Sequence, residues 1–174
     1  MLPSPLRIEP IPGYTPAIGR LVGMLTYGRS TTLNAVEGLT LAELDHLHDP
    51  QSNSIGALLA HFAAVERSYQ VMTFEDRALC PDEHAQWSIA LKLGDEGRRA
   101  LRGRSLDDYL NELSALRQRT LAELATRDDD WLERDVSAAP RLNMHWAWFH
   151  VMEDEVNHRG QIRWLRARLP SRSR

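Results

Sequence analysis

His150, Asp154 and His158 recur at every fourth position near the end of the chain. On a helix, residues four apart share one face about one turn from each other, so three metal-capable side chains would point the same way. Asp154 and His158 can converge on a single ion across that turn, and a ligand from a neighbouring helix would complete a facial set. His61 is the natural third member. It is the only histidine in the middle of another long helical stretch, and it falls on that stretch's apolar face. The set His61, Asp154 and His158 leaves positions open for water or substrate, as catalytic metal sites do and closed structural ones do not. A plainer reading makes His61 a satisfied core histidine and Asp154 a surface partner of His150 or His158. Polar groups at inward positions of two separate helices favour the metal, because such burial is expensive unless something compensates it. Glu66 and His150 flank the set as candidates for a ligand's hydrogen-bond partner or a general base, although solvated-face or capping roles suit both.

Four long helices are expected to position these residues. Pro3, Pro5, Pro10 and Pro12 make residues 1–13 an extended lead-in. The first helix runs from Pro16 to about Glu37, with Ile18, Leu21, Val22, Leu25, Leu33 and Val36 at spacings of three and four. Thr40 and Glu43 form a capping box for a short connector that ends before Pro50. Asn53 or Ser54 caps the second helix, which reaches about Phe74 and carries Leu58, His61, Phe62, Val65, Tyr69 and Met72 inward. From Asp76 to Gly103 the pattern weakens, which predicts a long crossover with some local helix, packed over one flank. Ser105 and Asp108 cap the third helix, and Leu106, Tyr109, Leu110, Leu113, Leu116, Leu121 and Leu124 form its buried side. After a turn at Pro140, the last helix spans about Asn143 to Arg168, before Pro170. A weak strand signal around Trp131–Val136 is the only competitor. The class is all-α, a single four-helix bundle over residues 14–170 with a basic tail at 171–174.

At 174 residues with 43% apolar and 26% charged residues, the chain can bury an ordinary core without disulfides. A net charge of −3 gives no cationic field for phosphates, so nucleic acid is not expected as a partner. No apolar run reaches the roughly 18 residues of a membrane span, and the proline-rich start lacks a secretory h-region. A cytoplasmic protein is expected, with its lone Cys80 a spectator thiol. Arg159, Arg163, Arg166, Arg168, Arg172 and Arg174 crowd the end, where they complement the helix dipole or form an acidic-partner patch. Trp146, Trp148, Phe149 and Trp164 exceed what one bundle stripe can hide. They predict a homodimer interface, a ligand pocket, or packing beneath the crossover.

The segments NSIGALLAHFAAVERSY and EVNHRGQI resemble the histidine-bearing second helix and the helix ending of the DinB-like (DinB/YfiT) superfamily, and the resemblance covers most of the chain in outline. His61 and His158 match the superfamily pattern directly. Asp154 stands where most members have a second histidine and some relatives an acidic residue. The resemblance implies one divalent metal, Zn²⁺, Ni²⁺, Fe²⁺ or Mn²⁺, on two imidazoles and a carboxylate. It further implies a small-molecule substrate and thiol-dependent chemistry, an S-transferase or hydrolase using mycothiol, bacillithiol or glutathione. The alternative is a non-catalytic, stress-associated binding or dimerisation module with a degenerate or structural site. A ferritin-like di-iron centre would need two well-placed Glu-x-x-His strings, and Glu43-x-x-His46 lies in the short connector while Glu155-x-x-His158 lies on the last helix.

Overall fold

A computed structural model describes residues 7–170; the first six residues and the tail expected at 171–174, with Arg172 and Arg174, lie outside the described residues. In chain order the elements are α1 (Pro16–Val36), α2 (Leu41–Leu44), α3 (Ile55–Phe74), α4 (Pro81–Lys92), α5 (Gly94–Ala100), α6 (Leu106–Leu124), α7 (Asp129–Leu132), β1 (Asp135–Val136), β2 (Ala139–Asn143) and α8 (Met144–Arg166).

Each long helix begins where the sequence supplies an oxygen for its orphan amides. Ser54 accepts from the Ala57 amide at 3.1 Å, Ser105 forms a capping box with Asp108, and Asn143 accepts from the Trp146 amide at 2.8 Å. α1 starts on Pro16, whose missing N–H costs nothing there. Its amides at Ala17 and Ile18 instead donate to Asp129, far along the chain, at 3.0 and 3.2 Å. The lead-in crosses α1 closely: a Cβ at Gly19 would lie 2.6 Å from the Ile11 backbone nitrogen, so only glycine fits. At the other end of α1, Arg166 donates to the carbonyls of Ala35 and Glu37 at 2.7 and 2.9 Å. That arginine therefore serves the C-terminus of α1 as well as the end of its own helix.

α8 packs between α1 and α3, and α3 packs on α6, which makes α1, α3, α6 and α8 the all-α bundle read from the sequence. Two apolar clusters fill it. One, around Leu58, Leu59, Leu113, Tyr109 and Ile162, lies toward the α3 N-terminus; the other, around Leu21, Leu25, Val65, Leu124, Trp148 and Val151, lies toward the chain start. Each fully buried Leu or Ile contributes about 1.5–3 kcal/mol of transfer free energy.

Four expectations need correction. The stretch 76–103 is mostly two helices, because Pro81 supplies a first-turn proline, Glu83 accepts from the Cys80 amide at 3.0 Å, and Leu93 at φ 55° turns the chain between them. Leu33, expected inward, is exposed. Pro140 lies inside β2 rather than in a turn, on a two-stranded ribbon where an edge position loses no ladder bond. Trp148 is fully buried, stacked on Phe74 with ring centroids 4.9 Å apart, so it belongs to the core and to neither an interface nor a pocket. Trp146, Phe149 and Trp164 stay exposed. Among the described residues, no helix is long and apolar enough to cross a membrane.

Candidate metal centre

α3 and α8 run antiparallel, and His61 in the middle of α3 meets Asp154 and His158 of α8 across the interface. One ligand atom from each of the three lies within 4.8 Å of the others, and this is the one such His, Cys, Asp or Glu group among the described residues. His61 Nε2 stands 3.4 Å from Asp154 Oδ2, and His158 Nε2 stands 3.5 Å from Asp154 Oδ1. The two imidazoles meet edge to face, centroids 4.9 Å apart. Atoms that share an ion at bond lengths of about 2.0–2.2 Å lie roughly 3–4 Å apart, and each imidazole stands at such a distance from one of the two Asp154 oxygens.

The hydrogen bonding narrows the chemistry further. His61 Nδ1 donates to the Ala90 carbonyl at 2.8 Å. Ala90 sits in the last turn of α4, where carbonyls lack helical partners. With its proton on Nδ1, His61 turns the Nε2 lone pair toward a carboxylate oxygen, and two acceptors facing each other require a cation or a proton between them. Asp154 Oδ2 and His158 Nδ1 are buried without a hydrogen-bond partner. Orphaned polar atoms at that depth are costly, and the donor set of two imidazoles and a carboxylate suits a divalent transition metal. Burial opposes ionisation of Asp154, yet the two imidazoles of His158 and His61 beside it hold its carboxyl well below the usual range. The Asp154 contact, against the cost of burial, raises His158 above an ordinary imidazole.

Two further side chains border the group. Burial, then the Asp154 charge, pushes the Tyr69 phenol up to about 12, so it keeps its proton. His150, one turn before Asp154, lies outside the trio: it stacks on Trp146 at 4.9 Å, faces Tyr69 at 5.8 Å and contacts Glu153 at 3.2 Å. It is half-exposed, in keeping with a solvated face.

Glu66 overturns its expected surface role, being fully buried. It belongs to a quartet with one member from each long helix: Arg29 of α1, Glu66 of α3, Arg117 of α6 and Glu155 of α8. Arg29 donates to Glu155 at 2.8 Å and Glu66 at 2.9 Å, and Arg117 donates to Glu66 at 2.7 Å and Glu155 at 3.2 Å. Arg29 also reaches the Leu113 carbonyl, and Arg117 the Leu25 carbonyl, at 2.9 and 2.7 Å. Thr120 donates to Glu66 at 2.7 Å. Although burial pushes the Glu66 carboxyl up, the charges of Arg117 and Arg29 bring it below normal. With Glu155 bound to two arginines, a carboxylate-bridged di-iron centre has lost one of its ligands. The signal was in the sequence: each of these four charges stands four residues after a core residue, Leu25, Phe62, Leu113 and Val151 respectively.

Comparison with known proteins agrees with this architecture. Residues 20–170 match the Mycothiol-S-transferase family profile. A conserved protein from Enterococcus faecalis, known from a crystal structure, superposes with a TM-score of 0.65 at 18% identity, covering 85% of this chain and 94% of that one. No curated protein matches the chain in sequence. With the profile spanning most of its length and the bundle reproduced, the chain belongs to the mycothiol S-transferase family of the DinB-like superfamily.

Proposed function

We propose that the protein is a metal-dependent S-transferase that joins the sulfur of a low-molecular-weight thiol, mycothiol foremost, to a small electrophile. The observation that carries this reading is the meeting of His61, Asp154 and His158 from two helices, with Asp154 Oδ2 and His158 Nδ1 buried and unpartnered. These three residues would hold one divalent ion, Zn²⁺, Ni²⁺, Fe²⁺ or Mn²⁺. Bound there, such an ion supplies thiolate at neutral pH by lowering the thiol's pKa.

The remaining roles fall to the chain itself. As the sulfur–carbon bond forms, the electrophile's leaving group departs with its electron pair, and the thiol's proton needs an acceptor. His150, half-exposed and one turn from Asp154, takes that proton and exchanges it with solvent. Tyr69, its proton secured, donates a hydrogen bond to the electrophile. The Ala90 carbonyl holds the His61 ring in one orientation. Family membership supports transfer over hydrolysis. We place the protein in the cytoplasm, as a homodimer formed through the exposed Trp146 and Phe149.

Mass spectrometry on untagged protein tests the centre. Wild type should carry about one metal per chain, and His61→Ala and His158→Ala none. Metal-loaded wild type should then consume mycothiol with an electrophile panel. A wild type that stays metal-free after reconstitution with all four ions would leave a binding module with a degenerate site.

A further inference from the structure

Between α3, α4 and α6 lies an open cavity of about 390 Å³, with Gln70, Trp87, Glu112, Ala115, Leu116 and Arg119 in its wall. That volume is within the range of small-molecule sites, about 300–1,000 Å³. The cavity is separate from the metal centre: His61, Asp154 and His158 do not line it, and Gln70 stands nine residues after His61 on α3, about 13.5 Å along the helix axis.

One buried polar atom of the wall lacks a partner. Gln70 is fully buried, and its Nε2 donates to the Leu116 carbonyl at 2.7 Å and to Thr120 Oγ1 at 3.0 Å. A carbonyl only accepts, so the amide nitrogen must face α6, and Oε1 is left buried with no hydrogen-bond partner. Such an oxygen calls for a donor. Charge adds a second requirement. Arg67, Arg77 and Arg119 share the carboxylates of Glu75 and Glu83, so this ladder carries one positive charge in excess. Arg119 is joined to it by one nitrogen alone, Nη2 donating to Glu75 at 2.7 Å, and its side chain is 40% exposed, which leaves guanidinium N–H groups for a carboxylate. Glu112 on the same wall is met by Arg104 through one oxygen, Oε2, at 2.9 Å. Trp87, Ala115 and Leu116 supply apolar surface between these groups.

We infer that this cavity binds a free α-amino acid with an apolar side chain. Its α-carboxylate meets Arg119, its α-ammonium meets Gln70 Oε1 and Glu112, and its side chain lies against Trp87 and Leu116. A simple carboxylic acid would leave the Gln70 oxygen without a donor, and a simple amine would leave Arg119 without an anion. The site goes beyond the S-transferase reading and does not depend on it.

Calorimetric titration of L-phenylalanine into metal-loaded and chelator-treated protein tests the assignment. It should bind both forms alike, with a Kd below about 1 mM. Phenethylamine, which lacks the carboxylate, and 3-phenylpropionate, which lacks the ammonium, should each bind at least about tenfold more weakly, since each omits a charge-assisted bond. Arg119→Ala should weaken L-phenylalanine about tenfold, and Ala115→Trp, which fills the cavity without removing a polar contact, should abolish its binding. Absence of binding, equal affinity for either analogue, or affinity unchanged in either variant would overturn the assignment. So would binding confined to the metal-loaded protein, which would place the amino acid on the ion. Both substituted positions are exposed on α6, so the core is spared, and circular dichroism checks that both variants fold.

Discussion

Asp154 and Glu155 are neighbours on α8, yet they serve opposite polar clusters. Glu155 enters the quartet, where two guanidiniums, two carboxylates, Thr120 and two backbone carbonyls satisfy one another and the formal charges cancel. Asp154 enters a trio in which Oδ2 of its own carboxylate and Nδ1 of His158 have no partner. Both clusters are costly to bury. The quartet has settled its cost internally, which is what a structural clasp requires, while the trio holds binding capacity in reserve. Hydrogen-bond completeness therefore separates the closed quartet from the proposed metal site along a single helical turn.

The largest effect should come from breaking the clasp. Glu66→Ala leaves Arg29 and Arg117 to share one carboxylate, and stranding buried charge costs about 3–5 kcal/mol. Urea unfolding should show that loss. Replacing all four members together, as Arg29→Met, Glu66→Leu, Arg117→Met and Glu155→Leu, should recover most of it, because apolar side chains of similar volume often match a buried ionic group. If the quadruple variant were as unstable as the single one, the quartet would be more than a mutually satisfied set.

Next in size is ligand removal at the trio. An ion present at about a hundred times its Kd stabilises the native state by about 2.7 kcal/mol. For a chain of this length that corresponds to a thermal midpoint roughly 5–10 °C higher. A chelator should remove that increment from wild type and have no effect on His61→Ala. A wild-type midpoint indifferent to both chelator and added ion would place the trio with the quartet, as structure alone.

Much of this contrast could be read from the sequence, and its limits have physical causes. Helix caps at Thr40, Ser105 and either Asn53 or Ser54 mark boundaries through local chemistry, and the structure has Thr40, Ser54 and Ser105 in that role. The i, i+4 pair Asp154 and His158, with His61 on another apolar stripe, was visible because period and residue type coincide. The clasp was missed because a charge at an inward position reads as a local exception until its partners on three other helices are known. Ala90 was out of reach for a different reason: it acts through its carbonyl, so its side chain gives no signal. The helices at 81–100 were obscured by glycines at 94 and 97, although Pro81 and Glu83 announce a helix start.

Acid should distinguish the clusters more gently. Glu66 has a folded-state pKa below the usual 4.5, so its contribution is fully present above the unfolded value and is lost as pH falls through the folded one. Wild-type melting temperature should therefore decline below about pH 4.5. Glu66→Gln, less stable at neutral pH, should show a shallower decline. Parallel curves for the two proteins would mean that other carboxylates dominate the acid response.

The smallest expected effect on stability concerns the trio's departure from its superfamily. Asp154→His would convert two imidazoles and a carboxylate into three imidazoles, raising the net charge of the ligand set by one and removing the oxygen donor. Because Asp154 makes no contact with the quartet and is half-buried, the fold should tolerate the change within about 1 kcal/mol. What should move is ion preference. A carboxylate suits Mn²⁺ and Fe²⁺ better than a third imidazole does, and three nitrogens favour Zn²⁺ and Ni²⁺. Competition between Mn²⁺ and Zn²⁺ on metal-free protein should thus shift toward Zn²⁺ in the variant, by about tenfold or more. An unchanged Mn²⁺ to Zn²⁺ ratio, with ion still bound, would show that Asp154 lies beside the ion without ligating it, and that two histidines and solvent suffice.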